Sequence, residues 1–315
     1  MKKFLKINVI VLFFFLIVHC TLKIEDCVCQ WKKTNGPAGR YDPSVRCFAI
    51  SENNIFAGTW SSGVFISTNN GENWTQTSLE DKVISSLAIS GNNIFAGSYL
   101  YGVYLSTDNG TNWTRTTSIG AKYINCLAIS GNNIFGGWND SGVYISTNSG
   151  QNWAQTALNN QSVSCLTVIG DNIFAGLFKS GGIYISTNNG INWTQTALNN
   201  KSIFCLATFE NNLYAGTFDS GLYTSQNNGE SWNQTSLNNK TISSLAISGN
   251  NIFAGTYNFG VFLSTDNGVS WIEKNQGFKS IPSVEAILIS NDFIFLSTGY
   301  KNQSVWRRSL REILE

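Results

Sequence analysis

Charge is scarce in this chain, and so are proline, methionine and histidine. Of 315 residues, 12% are charged, against about a quarter in an ordinary globular domain. The formal net charge is +1. No long lysine or arginine run is present, which excludes a nucleic-acid binder held by phosphate contacts. Three prolines exclude a proline-rich linker. The one histidine, His19, and the one methionine, Met1, both fall within the first 20 residues. Residues 21–315 therefore have no imidazole, which excludes Ser-His-Asp and Cys-His catalysis and any His-ligated metal site. Polarity comes instead from Asn, Ser, Thr and Gly.

The amino terminus differs from everything after it. Lys2, Lys3 and Lys6 precede an unbroken apolar run from Val9 to Val18. A charged n-region followed by a short h-region is the pattern of an export signal, and the run is shorter than the roughly 20 residues of a membrane span. Residues 1–20 are expected to be a signal peptide, 21–30 a short tether, and 31–315 the folded domain. Cleavage can follow Cys20. Alternatively Cys20 is a lipidation site, since Ile17-Val18-His19-Cys20 resembles a lipobox, and acyl chains there would tether the domain to a membrane. Loss of residues 1–20 leaves 17 positive against 19 negative residues, a net −2. The expected location is exported: secreted, periplasmic or cell-surface.

The rest of the chain repeats. Tryptophan recurs at 31, 74, 113, 153, 193, 232 and 271, and the text between returns with it. Each unit alternates with period two, is rich in Val, Ile, Phe, Tyr and Thr, and is interrupted by turn residues every five to eight positions, which is strand text. The second unit predicts four strands, a to d, over Ile84–Ser90, Asn93–Gly97, Gly102–Ser106 and Asn112–Thr116. Four strands per 40 residues or so is the period of a propeller blade. Strand a begins near Val45, Ile84, Ile124, Val163, Ile203, Ile242 and Val284, which makes seven blades. The last blade has a, b (Phe293–Ser297) and c (Ser304–Arg308) but no d, whereas Trp31–Asn35 reads as a d strand with no blade before it. The expected fold is an all-β, single seven-bladed β-propeller closed by the N-terminal strand completing the last blade. Closure removes the open edges that would pair with other chains, and a monomer is expected.

The c–d turns carry a fixed motif. They read Ser67-Thr-Asn-Asn-Gly71-Glu-Asn-Trp74, then Ser106-Thr-Asp-Asn-Gly110-Thr-Asn-Trp113, with further copies ending at Trp153, Trp193, Trp232 and Trp271. This resembles the Asp-box, or BNR, repeat, Ser-x-Asp-x-Gly-x-x-Trp, over essentially residues 31–315. The motif is a folding device: the Asx side chain bonds turn N–H groups, Gly takes positive φ, and Trp packs between blades. Only Asp108 and Asp266 keep the acid; Asn69, Asn148, Asn188 and Asn227 replace it, which weakens a cation-site reading. Propellers of this kind include sialidases, xyloglucan-active glycosidases, photosystem assembly factors and sorting receptors, so the resemblance implies a fold and leaves the activity open. Sialidases resemble one another in an Arg-Ile-Pro motif. That motif is missing here; the nearest text is Arg40-Tyr-Asp-Pro43.

The face formed by the b–c and d–a loops is the candidate binding face. Its b–c loops carry Trp60, Tyr99, Tyr101, Trp138, Phe178, Phe218, Tyr257, Phe259 and Tyr300. Its d–a loops end in Lys82, Lys122, Lys201 and Lys240, with Gln161 at the matching place. Aromatics and cations around a channel mouth can stack sugars, hold an anionic polymer or anchor a protein; alternatively they cap blade packing and keep the face soluble. Asp140 and Asp219, in matching b–c loops, are the candidates for two-carboxylate glycoside hydrolysis, against a turn-forming role before Ser-Gly. Arg46 and Glu285 fall at matching strand-a positions of blades that meet on closure, which predicts a salt bridge.

Cys47, Cys126, Cys165 and Cys205 align at one strand-a position, which predicts buried free thiols in a small-residue packing site. Cys27-Val-Cys29 offers too few ligands for a metal site, and no metal or cofactor is expected. The sequence points to an exported, non-catalytic binding or interaction scaffold whose partner is a protein or a polysaccharide. The alternatives are a carbohydrate-active enzyme using the loop carboxylates and an extracytoplasmic assembly factor. No nucleic acid is expected as a partner, and the membrane is reached only through a lipid on Cys20.

Overall fold

The computed structural model describes residues 30–38, 44–116, 123–299 and 304–315. Cys20, Cys27, Cys29, Arg40, Lys122 and Tyr300 lie outside the described residues, as does the signal segment. The described chain forms seven four-stranded antiparallel sheets. Each inner strand packs against the inner strands of both neighbours, and Val45–Ser51 meets Val284–Ser290 to close the ring. The two-residue strand Lys32–Lys33 pairs with Ser304–Ser309 in the register Lys32↔Arg307 and Lys33↔Trp306, so the amino-terminal strand completes the seventh blade. No helix among the described residues is long and apolar enough to cross a membrane.

The strands of blade 2 are Ile84–Ser90, Asn93–Ser98, Gly102–Ser106 and Thr114–Arg115. The outermost strand is shorter than its sequence pattern, because Asn112 is held in the preceding turn by the Asp108 carboxylate. A feature the repeat text does not announce is a register shift after the first residue of every inner strand, between Ile84 and Ser86 in blade 2 and between Val45 and Cys47 in blade 1. A bulge leaves one residue unpaired and re-aims its side chain. The bulged residues are Arg46, Ser85, Asn125, Ser164, Phe204, Ser243 and Glu285. Asn125 Nδ2 donates to the carbonyl of Val163 at 2.7 Å, Ser164 Oγ to Ile203 at 2.6 Å and Ser243 Oγ to Val284 at 2.5 Å. Ser85 Oγ donates to Ile124 in the same way. These bonds cross from one blade to the next.

At the closure the same position holds the expected ion pair, Arg46 Nη1 to Glu285 Oε2 at 2.6 Å. The opposite face is closed by Arg307, which donates to the Asn70 carbonyl and to Glu72 Oε1, both at 2.7 Å. Both pairs are partly exposed, and such pairs contribute about 0–1 kcal/mol each. They fix which surfaces meet more than they hold them together.

Burial does that. The apolar clusters lie between blades, not inside them. One contains Phe56 and Val64 of blade 1 with Ile84, Leu87 and Ile94 of blade 2, and Trp113 packs against it. The closing cluster contains Val45, Ile55 and Phe65 with Phe295 and Val305, packed by Trp74. At the interface of blades 6 and 7 the motif tryptophan is replaced by Trp31, buried beside Ile313 of the short helix Leu310–Leu314. Trp31 Nε1 donates to the Lys274 carbonyl at 2.7 Å.

All six turn motifs have one geometry. In blade 2, Ser106 Oγ donates to Asp108 Oδ1 at 2.8 Å and accepts from Gly110 N–H at 2.8 Å, while Asp108 Oδ1 accepts from Asn112 N–H at 2.9 Å. In blade 3, with Asn148 in place of the acid, the corresponding distances are 3.1, 2.9 and 2.8 Å. The amide oxygen substitutes for the carboxylate without changing the turn. Gly110 has φ +82°, and a Cβ there would stand 2.9 Å from the Phe56 ring of the preceding blade, so the glycine permits both the turn and the close approach.

The two retained acids do differ in titration. Hydrogen bonds from Asn112 hold the Asp108 carboxyl below its ordinary range; those from Ser270 hold Asp266 down to about 2. A carboxylate depressed by folding contributes stability above its ordinary pKa and loses that contribution as pH falls through the folded value. Replacing both acids as the other four motifs do (D108N with D266N) is expected to flatten melting temperature against pH between about pH 4 and 2 and to leave it nearly unchanged at pH 7. Thermal scans across that range check this.

Candidate functional site

The b–c and d–a loops share one face, tied by backbone bonds such as Gly63 N–H to Lys82 O at 2.9 Å and Gly221 N–H to Lys240 O at 2.9 Å. Small polar residues pin the loops further: Ser162 Oγ donates to Asn139 Oδ1 at 2.5 Å and Ser283 Oγ to Asn258 Oδ1 at 2.6 Å. The face is thus pre-formed.

Three of its lysines are engaged with the next blade. Lys82 Nζ lies 5.1 Å from the Tyr101 ring, Lys240 Nζ lies 4.0 Å from Phe259, and Lys201 Nζ donates to Ser220 Oγ at 3.1 Å. Each cation bridges a d–a loop to the following b–c loop, and contacts of this kind over a ring contribute about 0.5–1 kcal/mol when exposed.

The aromatics divide into two sectors. In blades 1 to 3, Trp60 packs on Tyr99 with ring centroids 5.6 Å apart, and Tyr99 stacks on Tyr123 at 4.1 Å. The Arg46 guanidinium lies 4.6 Å over Trp60 while bound to Glu285. One connected array therefore runs from blade 7 across blades 1, 2 and 3. Trp60 is 44% exposed, and Leu100, Tyr101 and Tyr123 are exposed beside it. In blades 4 and 5, Phe204 contacts Phe178 at 5.4 Å edge-on and Phe218 at 5.8 Å stacked. Tyr257 and Phe259 of blade 6 are exposed on the same face.

Trp138 does not belong to this surface. It is 1% exposed and packs 4.7 Å from Tyr144 and 5.4 Å from Trp153. The residues facing its six-membered ring explain the inversion. At Gly136 a Cβ would stand 2.3 Å from that ring, so the missing side chain is the space the indole fills. Five other blades have Ala at the Gly136 position and the seventh has Leu296, and all six have a small or aliphatic residue at the Trp138 position.

Tyr123 and Phe204 were absent from the candidates taken from sequence. Both were visible as departures from the repeat. Tyr123 stands where the other blades have Ser44, Val83, Ser162, Ser202, Thr241 and Ser283, and Phe204 is the one aromatic among the seven bulged residues.

The two loop carboxylates have different partners. Asp140 accepts from Lys179 Nζ at 3.5 Å and from Asn139 Nδ2 at 3.2 Å; Asp219 accepts from Ser220 Oγ at 2.8 Å. Both are exposed. Among the described residues no group of three or more His, Cys, Asp or Glu side chains could hold a metal ion. Cys47, Cys126, Cys165 and Cys205 are free thiols. Burial pushes Cys47 and Cys165 up to about 12 and raises Cys126 and Cys205 as well, so none is a nucleophile at neutral pH. Each faces a strand-b glycine; a Cβ at Gly176 would stand 2.6 Å from Cys165 Sγ.

The BNR/Asp-box repeat model matches residues 184–195, and the chain is a seven-bladed propeller built on that repeat. No curated protein matches the sequence. Among solved structures the fold is similar to YCF48 from Cyanidioschyzon merolae, with TM-score 0.72 and 15% identity over 90% of this chain and 99% of that one. YCF48 bound to a D1 peptide is similar at TM-score 0.71 and 14% identity, over 90% and 96%. The extracellular domain of a putative one-component system from B. thetaiotaomicron gives 0.71 and 17%, over 89% of this chain and 40% of that one. A GH74 xyloglucanase from Xanthomonas campestris gives 0.70 and 15%, over 90% and 54%. At these identities the likeness shows the fold alone.

Trp138, the last residue of its strand b, and Trp60 of the exposed loop should separate in unfolding experiments. Trp138→Ala is expected to cost about 3–5 kcal/mol, as for other buried aromatics, and Trp60→Ala less than about 1 kcal/mol. Urea unfolding at neutral pH measures both.

Proposed function

We propose that this Asp-box propeller is an exported, non-catalytic scaffold that binds a protein or peptide segment on the loop face of blades 1 to 3. The observation that carries the reading is the array of Trp60, Tyr99 and Tyr123 with Arg46 at its end. Tryptophan, tyrosine and arginine dominate binding energy at protein interfaces. The array is partly exposed and mounted on loops already fixed by hydrogen bonds, so little ordering cost remains at binding. Stacking also limits what it can take. Tyr99 has neighbours on both sides and offers its edge and hydroxyl more than a free face, which suits a polypeptide better than a sugar ring laid flat.

The comparisons lend support of a weaker kind. This chain spans nearly the whole of YCF48, whose structure is recorded with a bound peptide, and about half of the xyloglucanase. The hydrolase alternative draws no support from Asp140 and Asp219, whose partners are Lys179, Asn139 and Ser220. Export rests on residues 1–20, and extracellular occurrence of a similar fold in the B. thetaiotaomicron protein agrees with it.

The test is affinity capture from the producing organism with the purified chain, compared with Trp60→Ala and Tyr99→Ala. Loss of one reproducible protein partner by roughly tenfold or more in both variants, about 1.4 kcal/mol of binding, at unchanged melting temperature is the expected outcome. Capture that persists in both variants would overturn the assignment of the site.

A further inference from the structure

The face opposite the loop array has its own recess at two joints, between the a–b turn of one blade and the turn motif of the next. Between blades 2 and 3 it is a cavity of about 240 Å³, with Ser90, Asn93, Asn132, Thr147 and Ser149 beside apolar Phe95, Ile129 and Ile134. Between blades 4 and 5 the matching recess has about 500 Å³, within the range of small-molecule sites. Its polar lining is Asp171, Asn172, Asn211, Gln226 and Asn228, with Ile169 and Gly170.

Position by position the two recesses correspond, and they differ at three polar positions, of which Gln226 departs from the Thr of the other five motifs while Asn228 is the ordinary residue of its position. Gln226 stands where blade 3 has Thr147, Asn228 where it has Ser149, and Asp171 where blade 2 has Asn92. At two other joints the a–b turn and the motif of the next blade are in amide contact. Asn133 Nδ2 donates to Asn189 Oδ1 at 3.5 Å and Asn291 Nδ2 to Asn70 Oδ1 at 3.4 Å. Asn172 and Asn228 are the counterparts of Asn133 and Asn189 one blade on, and neither bonds the other or any described side chain. The recess is open there, and four carboxamides and one carboxylate line it, with no side-chain hydrogen bond to another described residue.

We propose that this recess binds a neutral sugar unit of hexose size. The lining chemistry selects it. Each carboxamide offers two donors and an acceptor, and the carboxylate accepts only, which matches hydroxyl groups on adjacent ring carbons. An anion would meet Asp171 with no cation in the lining. A divalent cation would find a single carboxylate, too few for a hard ion. A flat aromatic ligand would find no ring to stack on. The site is separate from the aromatic face and does not depend on the partner proposed for it.

The experiment is saturation-transfer NMR on the purified chain with a panel of neutral hexoses and their disaccharides. The comparison variant is D171N/Q226T/N228S, which gives the recess the residues of its blade 2–3 counterpart and therefore residues the fold already accommodates at those positions. Transfer to at least one sugar is expected, weakened roughly tenfold or more in the triple variant, as for loss of one or two net hydrogen bonds, and unchanged in Trp60→Ala. Absence of transfer across the panel, or transfer that survives the triple variant, overturns the proposal. Transfer lost in Trp60→Ala instead would place the sugar on the aromatic face and overturn both this site and the peptide reading of that face.

Discussion

The hydrophobic contact between adjacent blades is the interaction on which this structure depends. A four-stranded blade is too thin to bury a core of its own, and the apolar residues of its strands are shared with its neighbours: Phe56 and Val64 with Ile84 and Ile94, Phe135 and Val143 with Val163 and Ile173. Burial at such sites is worth about 25 cal/mol per Å² of apolar surface, and it is available only if every blade has a partner on each side. A row of seven blades would leave two faces wet. The ring removes them, and the closing joint is built from the same parts as the others, with Trp31 in the tryptophan position and Lys32–Lys33 as the missing strand.

What distinguishes the closing joint is charge. At four other joints a serine or asparagine at the bulge reaches the next blade's carbonyl, and any two consecutive blades could satisfy such a bond. Arg46 with Glu285 and Arg307 with Glu72 replace those interchangeable contacts by pairs of defined partners on both faces. Exposed pairs add little stability, but opposite charges at the two ends of the chain favour the correct joint over a displaced one. The joint that follows Phe204 has no such bond; there Cys205 Sγ lies 3.5 Å from the Ile242 carbonyl, and that phenylalanine lies in the second aromatic sector.

Much of this was legible in the sequence. The tryptophan spacing set the repeat period, the seven starts of strand a set the blade count, and the orphan strand at Trp31 set the mode of closure. The pairing of Arg46 with Glu285 followed from matching positions in blades that must meet. Burial of individual loop residues was harder to read. Trp138 has the same place in its repeat as Leu177 or Thr217 and looks like a surface aromatic until the absent side chain of Gly136 is taken with it. The bulge after each first inner-strand residue is invisible in period-two text, because the alternation on either side is unchanged in appearance. Trp60 and Tyr99 were named from the repeat, but Tyr123 escaped for a related reason: it belongs to a d–a loop in sequence and to the b–c sector in space. In a repeat protein the informative residues are those that depart from their own repeat, and Tyr123, Phe204, Gln226 and Asp171 are all of that kind.

The central claim is that the cores belong to the joints, so that no blade is stable apart from the ring. Equilibrium unfolding in urea, followed in parallel by tryptophan fluorescence and far-ultraviolet circular dichroism, tests it directly. The fluorophores sit at the joints and the dichroism reports the strands within blades, so a closed ring of shared cores predicts one transition with coincident midpoints for both probes. Fluorescence that changes well before the strands are lost, or a succession of resolved steps, would show blades that persist without their neighbours and would contradict the account.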